Sequence, residues 1–289
     1  VEQNQKGTLY LAATPIGNLE DITYRVVRIL NEVDIIAAED TRVTQKLCNH
    51  YSIERPLTSY HEHNKATSGT ALLKRLREGQ HVALVSDAGT PAVSDPGYDL
   101  VVQAIKEGVT VVPLPGASAA VTALIASGLP TERFYFLGFL PRKEADKRNA
   151  LQKAAETEAT LLFYESPHRV KDTLWTIKEA FVDCEVVAAR ELTKKFEQFV
   201  RGSADDVLTH FTENAPKGEF CIVVSQIVLA NDENEVWWAG LSTQDHVQTY
   251  VAKGHTSKEA IKLTAVDRDL PKRDVYATFH ISTEADGSE

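Results

Sequence analysis

VALVSDAGTPAVSDP, residues Val82 to Pro96, decides the fold. The apolar run Val82–Val85 stops at Ser86-Asp87 and opens into a loop of small residues that includes Gly89, Thr90 and Pro91. A short apolar run bounded by turn residues reads as a buried strand of a parallel sheet. Open α/β sheets bind their ligands at the carboxyl ends of such strands. Gly and Ala there let a ligand approach the backbone, and Asp87 can accept hydrogen bonds from a hydroxyl or an ammonium group. A single segment of this kind could equally be a tight turn with Asp87 as a cap, so the reading rests on repetition.

The pattern recurs twice. Leu9–Ala13 ends at Thr14-Pro15-Ile16-Gly17-Asn18, and Val109–Val112 leads through Pro115-Gly116 into a helix. Around them strands and helices alternate. Strands are predicted at Leu9–Ala13, Val33–Ala37, Val82–Val85 and Val109–Val112, with helices at Tyr24–Asn31, Thr44–His50, Ala66–Glu78 and Tyr98–Lys106. This β-α-β order calls for a mostly parallel sheet covered on both faces. No Gly-rich run ends in Gly-Lys-Ser/Thr and no G-x-G-x-x-G is present, which excludes a P-loop and the standard dinucleotide fingerprint.

After about residue 119 the texture changes. Strands at Phe134–Phe139, Leu161–Tyr164, Val186–Ala189, Phe196–Val200 and Phe220–Val224 have fewer helices between them, which predicts a mixed sheet. Helices are expected at Lys143–Glu156 and Val170–Phe181, and the polar stretch Leu140–Lys147 reads as a flap or a helix start. An acidic linker at 227–237 precedes three short helices, signalled by Ser242/Asp245, Thr256/Glu259 and Pro271. The domains are therefore expected at 1–118 (α/β), 119–226 (α/β with a mixed sheet) and 236–280 (a small helix-turn-helix-like appendage).

Composition narrows the class. The 289 residues, 43% hydrophobic and 25% charged, suit a globular protein of two domains or more. Cys48, Cys184 and Cys221 are far apart, which argues against a zinc ribbon or disulfide framework and fits a reducing cytosol. The uncharged stretch Val109–Thr131 is interrupted by prolines and glycines and reads as strand, turn and helix rather than a membrane span. A net charge of −10 counts against an indiscriminate nucleic-acid binder. Two local basic patches remain, one at Arg142, Lys143, Lys147, Arg148 and Lys153, the other at Lys253, Lys258, Lys262, Arg268, Lys272 and Arg273. Each is either an RNA contact or a solvated helix face.

Eight motifs then occur in order: TPIGN (Thr14–Asn18), AAEDTR (Ala37–Arg42), SDAGTP (Ser86–Pro91), SDPG (Ser94–Gly97), PLPGAS (Pro113–Ser118), FYESPHR (Phe163–Arg169), ARELTK (Ala189–Lys194) and KGEF (Lys217–Phe220). On these motifs the chain resembles the tetrapyrrole-methylase superfamily over roughly residues 7–226, and within it the bacterial enzymes that methylate a cytidine 2'-oxygen of 16S rRNA. The resemblance implies two α/β domains with a cofactor cleft between them, S-adenosylmethionine (SAM) as cofactor, the small ribosomal subunit as partner and a homodimer. It places Pro15, Asp87, Gly89, Thr90, Val93, Ser118 and Ala119 on one side of the cofactor, and Phe163, Tyr164, Ala189 and Gly218 on the other.

Methyl transfer to a ribose hydroxyl requires alignment of the reacting atoms and an acceptor for the hydroxyl proton. Glu39, Asp40 and Arg42 are the candidate catalytic group, with Glu39 as the base, and a structural ion pair at a strand-to-helix turn is the competing reading. His61, His63, Glu165, His168 and Arg169 join Arg142, Lys143, Lys147, Arg148, Lys258, Lys262, Lys272 and Arg273 as candidate RNA contacts. His61 and His63 lack a third ligand at metal spacing, so no metal is expected. The rival functions are methylation of a tetrapyrrole or diphthamide precursor, and a non-catalytic ribosome-binding factor.

Overall fold

Val82–Val85 is a strand buried on both faces, and a five-stranded parallel sheet forms around it. The computed structural model describes residues 6–181, 183–225, 241–252, 255–268 and 270–283. These fall into two compact units, one up to residue 225 and one from residue 241. The acidic linker at 227–237 and Lys253 lie outside the described residues.

In the first unit the chain runs β1 (Thr8–Ala12), α1 (Tyr24–Glu32), β2 (Ile35–Ala38), α2 (Thr41–His50), β3 (Leu57–Ser59), α3 (Lys65–Arg77), β4 (Val82–Val85), α4 (Tyr98–Lys106) and β5 (Thr110–Leu114). The sheet order is β3-β2-β4-β1-β5. Alternation sorts the strand side chains by face. Ile35, Ala37, Val82 and Leu84 pack with α3 and α4, while Ile36, Ala38, Ala83 and Val85 pack with α1 and α2. β3 escapes sequence reading because Leu57-Thr58-Ser59 carries no apolar run.

α5 (Ala119–Ser127) leads into the second sheet. It is followed by β6 (Phe134–Phe139), α6 (Glu144–Ala155), β7 (Thr160–Glu165), α7 (Val170–Ala180), β8 (Glu185–Arg190), β9 (Gln198–Ser203), α8 (Ala204–Glu213) and β10 (Phe220–Val224). The order is β6-β7-β10-β8-β9, with β6 and β7 parallel and the other pairs antiparallel. One face packs Leu161, Phe163, Ala188 and Ile222 under α6, α7 and α8; the other packs Leu162, Val187 and Val223 under α5. β9 begins two residues later than Phe196–Val200 suggests, because turns closed by Lys194 N–H to Glu191 O and Glu197 N–H to Lys194 O consume the preceding residues. α8 carries its own unread signal, a capping box between Ser203 and Asp206.

In the second unit α9 (Thr243–Ala252), α10 (Ser257–Asp267) and α11 (Lys272–Thr283) pack around Val247, Ala260, Ile261 and Val275. The expected caps form at Ser242 and Thr256. His246 is fully buried, with Nε2 3.1 Å from Asp267 and Nδ1 accepting from Arg268 Nε at 3.0 Å, so Arg268 is a core strut of this unit. Among the described residues no helix is long and apolar enough to cross a membrane.

Candidate active site

β1 and β4 lie side by side, and their connections leave in opposite directions on opposite faces: β1 to β2 through α1, β4 to β5 through α4. Such a divergence opens a crevice at the strands' carboxyl ends. The two loops there are tied together by a backbone bridge. Thr14 N–H donates to Gly89 O at 2.9 Å and Gly89 N–H donates to Thr14 O at 3.0 Å. Gly89 has φ +84°, and an added Cβ would sit 3.3 Å from Ile16 Cγ2, so the position favours glycine. Thr90 Oγ1 donates to Ala117 O at 3.1 Å and binds a third loop to the first two. Ala92 and Ser94 hold left-handed φ values of +66° and +62°, local strain of the kind found at ligand sites.

Period-two alternation supplies the opposite wall. Tyr164, Ala189 and Cys221 share the α5-covered face of the second sheet and extend past the helix into the cleft. The resulting cleft has a volume of about 380 Å³, within the range of roughly 300–1,000 Å³ usual for small-molecule sites. Burial pushes the Tyr164 hydroxyl up to about 12 and the Cys221 thiol up to about 12, so both are neutral walls rather than nucleophiles.

Of the cofactor residues expected from sequence, Gly89, Thr90, Val93, Ser118, Ala119, Tyr164 and Ala189 line this cleft. Phe163 does not present its side chain there. It sits on the alternate face of β7, fully buried under the helices. Asp87 turns toward the first sheet's next loop, where it accepts from Asp40 N–H at 2.9 Å. Pro15 and Gly218 are not among the lining residues. Gly218 has φ +82° and lets Glu191 pack close, since an added Cβ would come within 2.3 Å of Glu191 Oε1. Glu191 in turn accepts from Lys194 Nζ at 3.1 Å and Glu219 N–H at 3.2 Å. Asp95, Phe139, Glu191 and Lys194 line the cleft without having been singled out. Asp95 was within sight, in the SDPG motif.

The candidate catalytic group divides in two. Asp40 caps α2 by accepting from Arg42 N–H at 2.8 Å and takes the Arg42 guanidinium at 2.6 Å. The Arg42 side-chain hydrogen bond holds the Asp40 carboxyl down at about 2. Both residues are thus engaged with each other in the turn. Glu39 differs, since burial and then the Asp87 charge raise its pKa. Asp95 is pushed up to about 6 by burial and by Glu39. Glu39, Asp87 and Asp95 therefore form a cluster of carboxylates whose charges oppose one another. His61 acts on Glu39 in the opposite sense, and its Nδ1 is buried without a hydrogen-bond partner among the described residues. The His61 and His63 rings lie 6.1 Å apart.

Several expected RNA contacts have partners within the protein. Lys147 is 3% exposed, with Nζ 2.8 Å from Glu144 and 3.3 Å from Thr176 Oγ1, because α6 turns it onto α7. Arg148 pairs with Glu179 at 2.6 Å. Glu165 is buried and accepts from Ser166 N–H at 2.8 Å and Thr173 Oγ1 at 2.7 Å. Arg169 donates to the Leu140 and Pro141 carbonyls, each at 2.9 Å. Arg142, Lys143, His63, His168, Lys258, Lys262, Lys272 and Arg273 are exposed.

Residues 8–208 match the family model of the Tetrapyrrole (Corrin/Porphyrin) Methylases. The chain is 56% identical over 279 residues to the ribosomal RNA small subunit methyltransferase I of Halalkalibacterium halodurans, covering 96% of both chains. It is 51% identical over 280 residues to the protein of the same name from Bacillus subtilis, again covering 96% of both. Among solved structures, diphthine synthase superposes with a TM-score of 0.61 at 15% identity, covering 76% of this chain and 90% of that one. A cobalt precorrin-4 methyltransferase gives 0.56 at 21% identity, covering 75% and 94%. Likeness at that identity shows a shared fold.

Proposed function

Because the chain belongs to the tetrapyrrole methylases, we propose that it is a SAM-dependent methyltransferase acting on the ribose 2'-oxygen of a cytidine in 16S rRNA of the small ribosomal subunit. The observation that carries this reading is the identity of 51% and more, along 96% of both chains, to relatives named for small-subunit rRNA methylation.

The cleft suits the cofactor. Gly89 leaves a cradle that a Cβ would crowd against Ile16, and Ala119, Ala189 and Cys221 keep the walls shallow. Gly89, Thr90, Val93, Ser118 and Ala119 would hold it from the loops of the first sheet and the start of α5, and Tyr164 and Ala189 from the second sheet, with Pro15, Phe163 and Gly218 shaping the backbone behind them. Asp87 keeps the Asp40 backbone in place. When bound, the cofactor supplies an electrophilic methyl on a sulfonium.

The chain's own residues then position the ribose and take its proton. A carboxylate with a raised pKa is a stronger base than an ordinary one, and Glu39 is such a group, with Asp95 beside it facing the cleft. Glu39 accepts the hydroxyl proton in this scheme, while Asp40 and Arg42 fix the turn that carries it. Arg142, Lys143, His61, His63 and His168 meet the RNA near the first unit's loops, and Lys258, Lys262, Lys272 and Arg273 supply a second basic surface. The family's dimeric habit extends to this chain, to be read by light scattering.

The test is transfer of labelled methyl from SAM to small subunits that lack their native modifications, followed by digestion to nucleosides. Label is expected in 2'-O-methylcytidine. Glu39→Gln should cut turnover and spare SAM affinity. Absence of label despite SAM binding transfers the acceptor to a small molecule or protein.

A further inference from the structure

The end of β6 holds one aromatic ring at the mouth of the cleft. Phe134, Tyr135 and Phe136 pair with Thr160, Leu161 and Leu162 of β7, after which the register slips and Phe139 pairs with Tyr164. Continued without the slip, the ladder would place Gly138 opposite Tyr164 and turn Phe139 to the face covered by α6, α7 and α8, where Leu137 packs. The extra residue reverses this and aims Phe139 at the cleft, a known use of bulges beside active sites. Gly138 makes the slip possible with φ +65°, and its added Cβ would lie 3.2 Å from Ser94 Oγ.

The ring is fixed on its other side too. Immediately after it, the Leu140 and Pro141 carbonyls accept from one Arg169 nitrogen, and Arg169 Nε lies 3.5 Å from the fully buried carboxylate of Glu165. The Phe139 ring stands edge-on to Tyr164, with centroids 5.5 Å apart, and Phe136 braces Tyr164 from behind at 5.0 Å. Despite this bracing, Phe139 is 60% exposed while it lines the cleft. A large apolar ring held rigidly and left open suits a stacking partner rather than a core.

Resting on the rRNA reading above, we propose that Phe139 is the platform on which an unpaired base of the rRNA stacks beside the acceptor ribose, with Arg169 and Glu165 as its positioning residues. Proteins that recognise RNA by sequence splay out unpaired bases and stack them on aromatic rings. Such a stack fixes the nucleotide against the cleft, where alignment of a 2'-hydroxyl is required.

The experiment measures methyl transfer to unmodified small subunits, SAM affinity by calorimetry and oligomeric state by light scattering. From the usual worth of base–aromatic stacking, Phe139→Ala should lose roughly 5- to 150-fold in kcat/KM for the subunit. Phe139→Trp should keep activity and Phe139→Leu should fall between, with SAM affinity unchanged in all three. Arg169→Lys, which retains charge but not the planar guanidinium, should raise KM for the subunit and leave kcat and SAM affinity near those of the parent. An active parent with Phe139→Ala and Phe139→Leu equal to it overturns the stack alone. Weakened SAM binding reassigns Phe139 to the cofactor wall, and a changed oligomeric state reassigns it to a contact between copies; either overturns the proposal. A parent that binds SAM but leaves subunits unlabelled overturns the underlying rRNA reading and the stack with it.

Discussion

The wall contributed by the first sheet is mostly backbone: glycines, a bridge between Thr14 and Gly89, left-handed Ala92 and Ser94, and a set of carboxylates held close together. The wall contributed by the second sheet is mostly side chain: Tyr164 braced by two phenylalanines, and Glu165 paired with Arg169 and accepting from Thr173 Oγ1. The first wall holds its charges in mutual opposition, and the second pairs its buried Glu165 carboxylate with Ser166 N–H, Thr173 and Arg169. A surface of the first kind is poised to take up a proton, and one of the second kind is built to hold a shape.

Removing the buried anchor should give the largest effect. Glu165→Ala removes the acceptor of Thr173 Oγ1 and Ser166 N–H and the buried charge beside Arg169, and is expected to cost about 3 kcal/mol in denaturant unfolding. A loss under about 0.5 kcal/mol, the level of an ordinary surface change, would end the contrast between the walls. On the first wall, Gly97→Ala places a Cβ 2.8 Å from that of Ala92 and 3.0 Å from Leu84 Cδ2 in backbone at φ +152°. We expect about 2 kcal/mol of destabilisation together with weaker SAM binding, because the strained loop shifts as a whole.

Asp95 sharpens the comparison through its sign. Its folded pKa of about 6 lies above the unfolded value, so above pH 6 its charge weighs against the native state. Asp95→Asn should therefore raise stability at pH 7.5, by about 1 kcal/mol once partial solvent screening is allowed for. The gain should fade as pH falls through 6 toward 4, where the parent's own carboxyl is protonated when folded; thermal melts from pH 4.5 to 8 read this directly. The smallest effects belong to surface charge. Arg142→Ala with Lys143→Ala should reduce the salt slope of RNA binding by about 0.7–0.9 per lost phosphate contact. Lys147→Met, buried between α6 and α7, should leave that slope unchanged.

The sheets were legible because their signals are local. Val82–Val85 and Phe134–Phe139 are apolar runs between turn residues, and alternation places their side chains. β3 was illegible because Leu57–Ser59 is a strand only by pairing with β2. In the cleft, the loop after β4 with Gly89 could be read from its small residues, whereas Ala119 and Ala189 came only through the family resemblance. The site was not legible where long side chains choose among partners. A lysine such as Lys147 reads as solvated until α7 is packed against it. Asp40 and Asp95 look alike in sequence, and only the Arg42 hydrogen bonds at one and the crowding carboxylates at the other separate them.

The alternation along β7 also bears on how this protein can be varied. Leu161 and Phe163 face the helices, while Leu162 and Tyr164 face α5 and the cleft. A library confined to position 164 would sample the lining of the cleft on a nearly constant scaffold, and one confined to the fully buried positions 161, 162 and 163 would sample folding. Inserting one residue before them would exchange the two alphabets, so tolerance to insertion in β7 should be far lower than its tolerance to substitution.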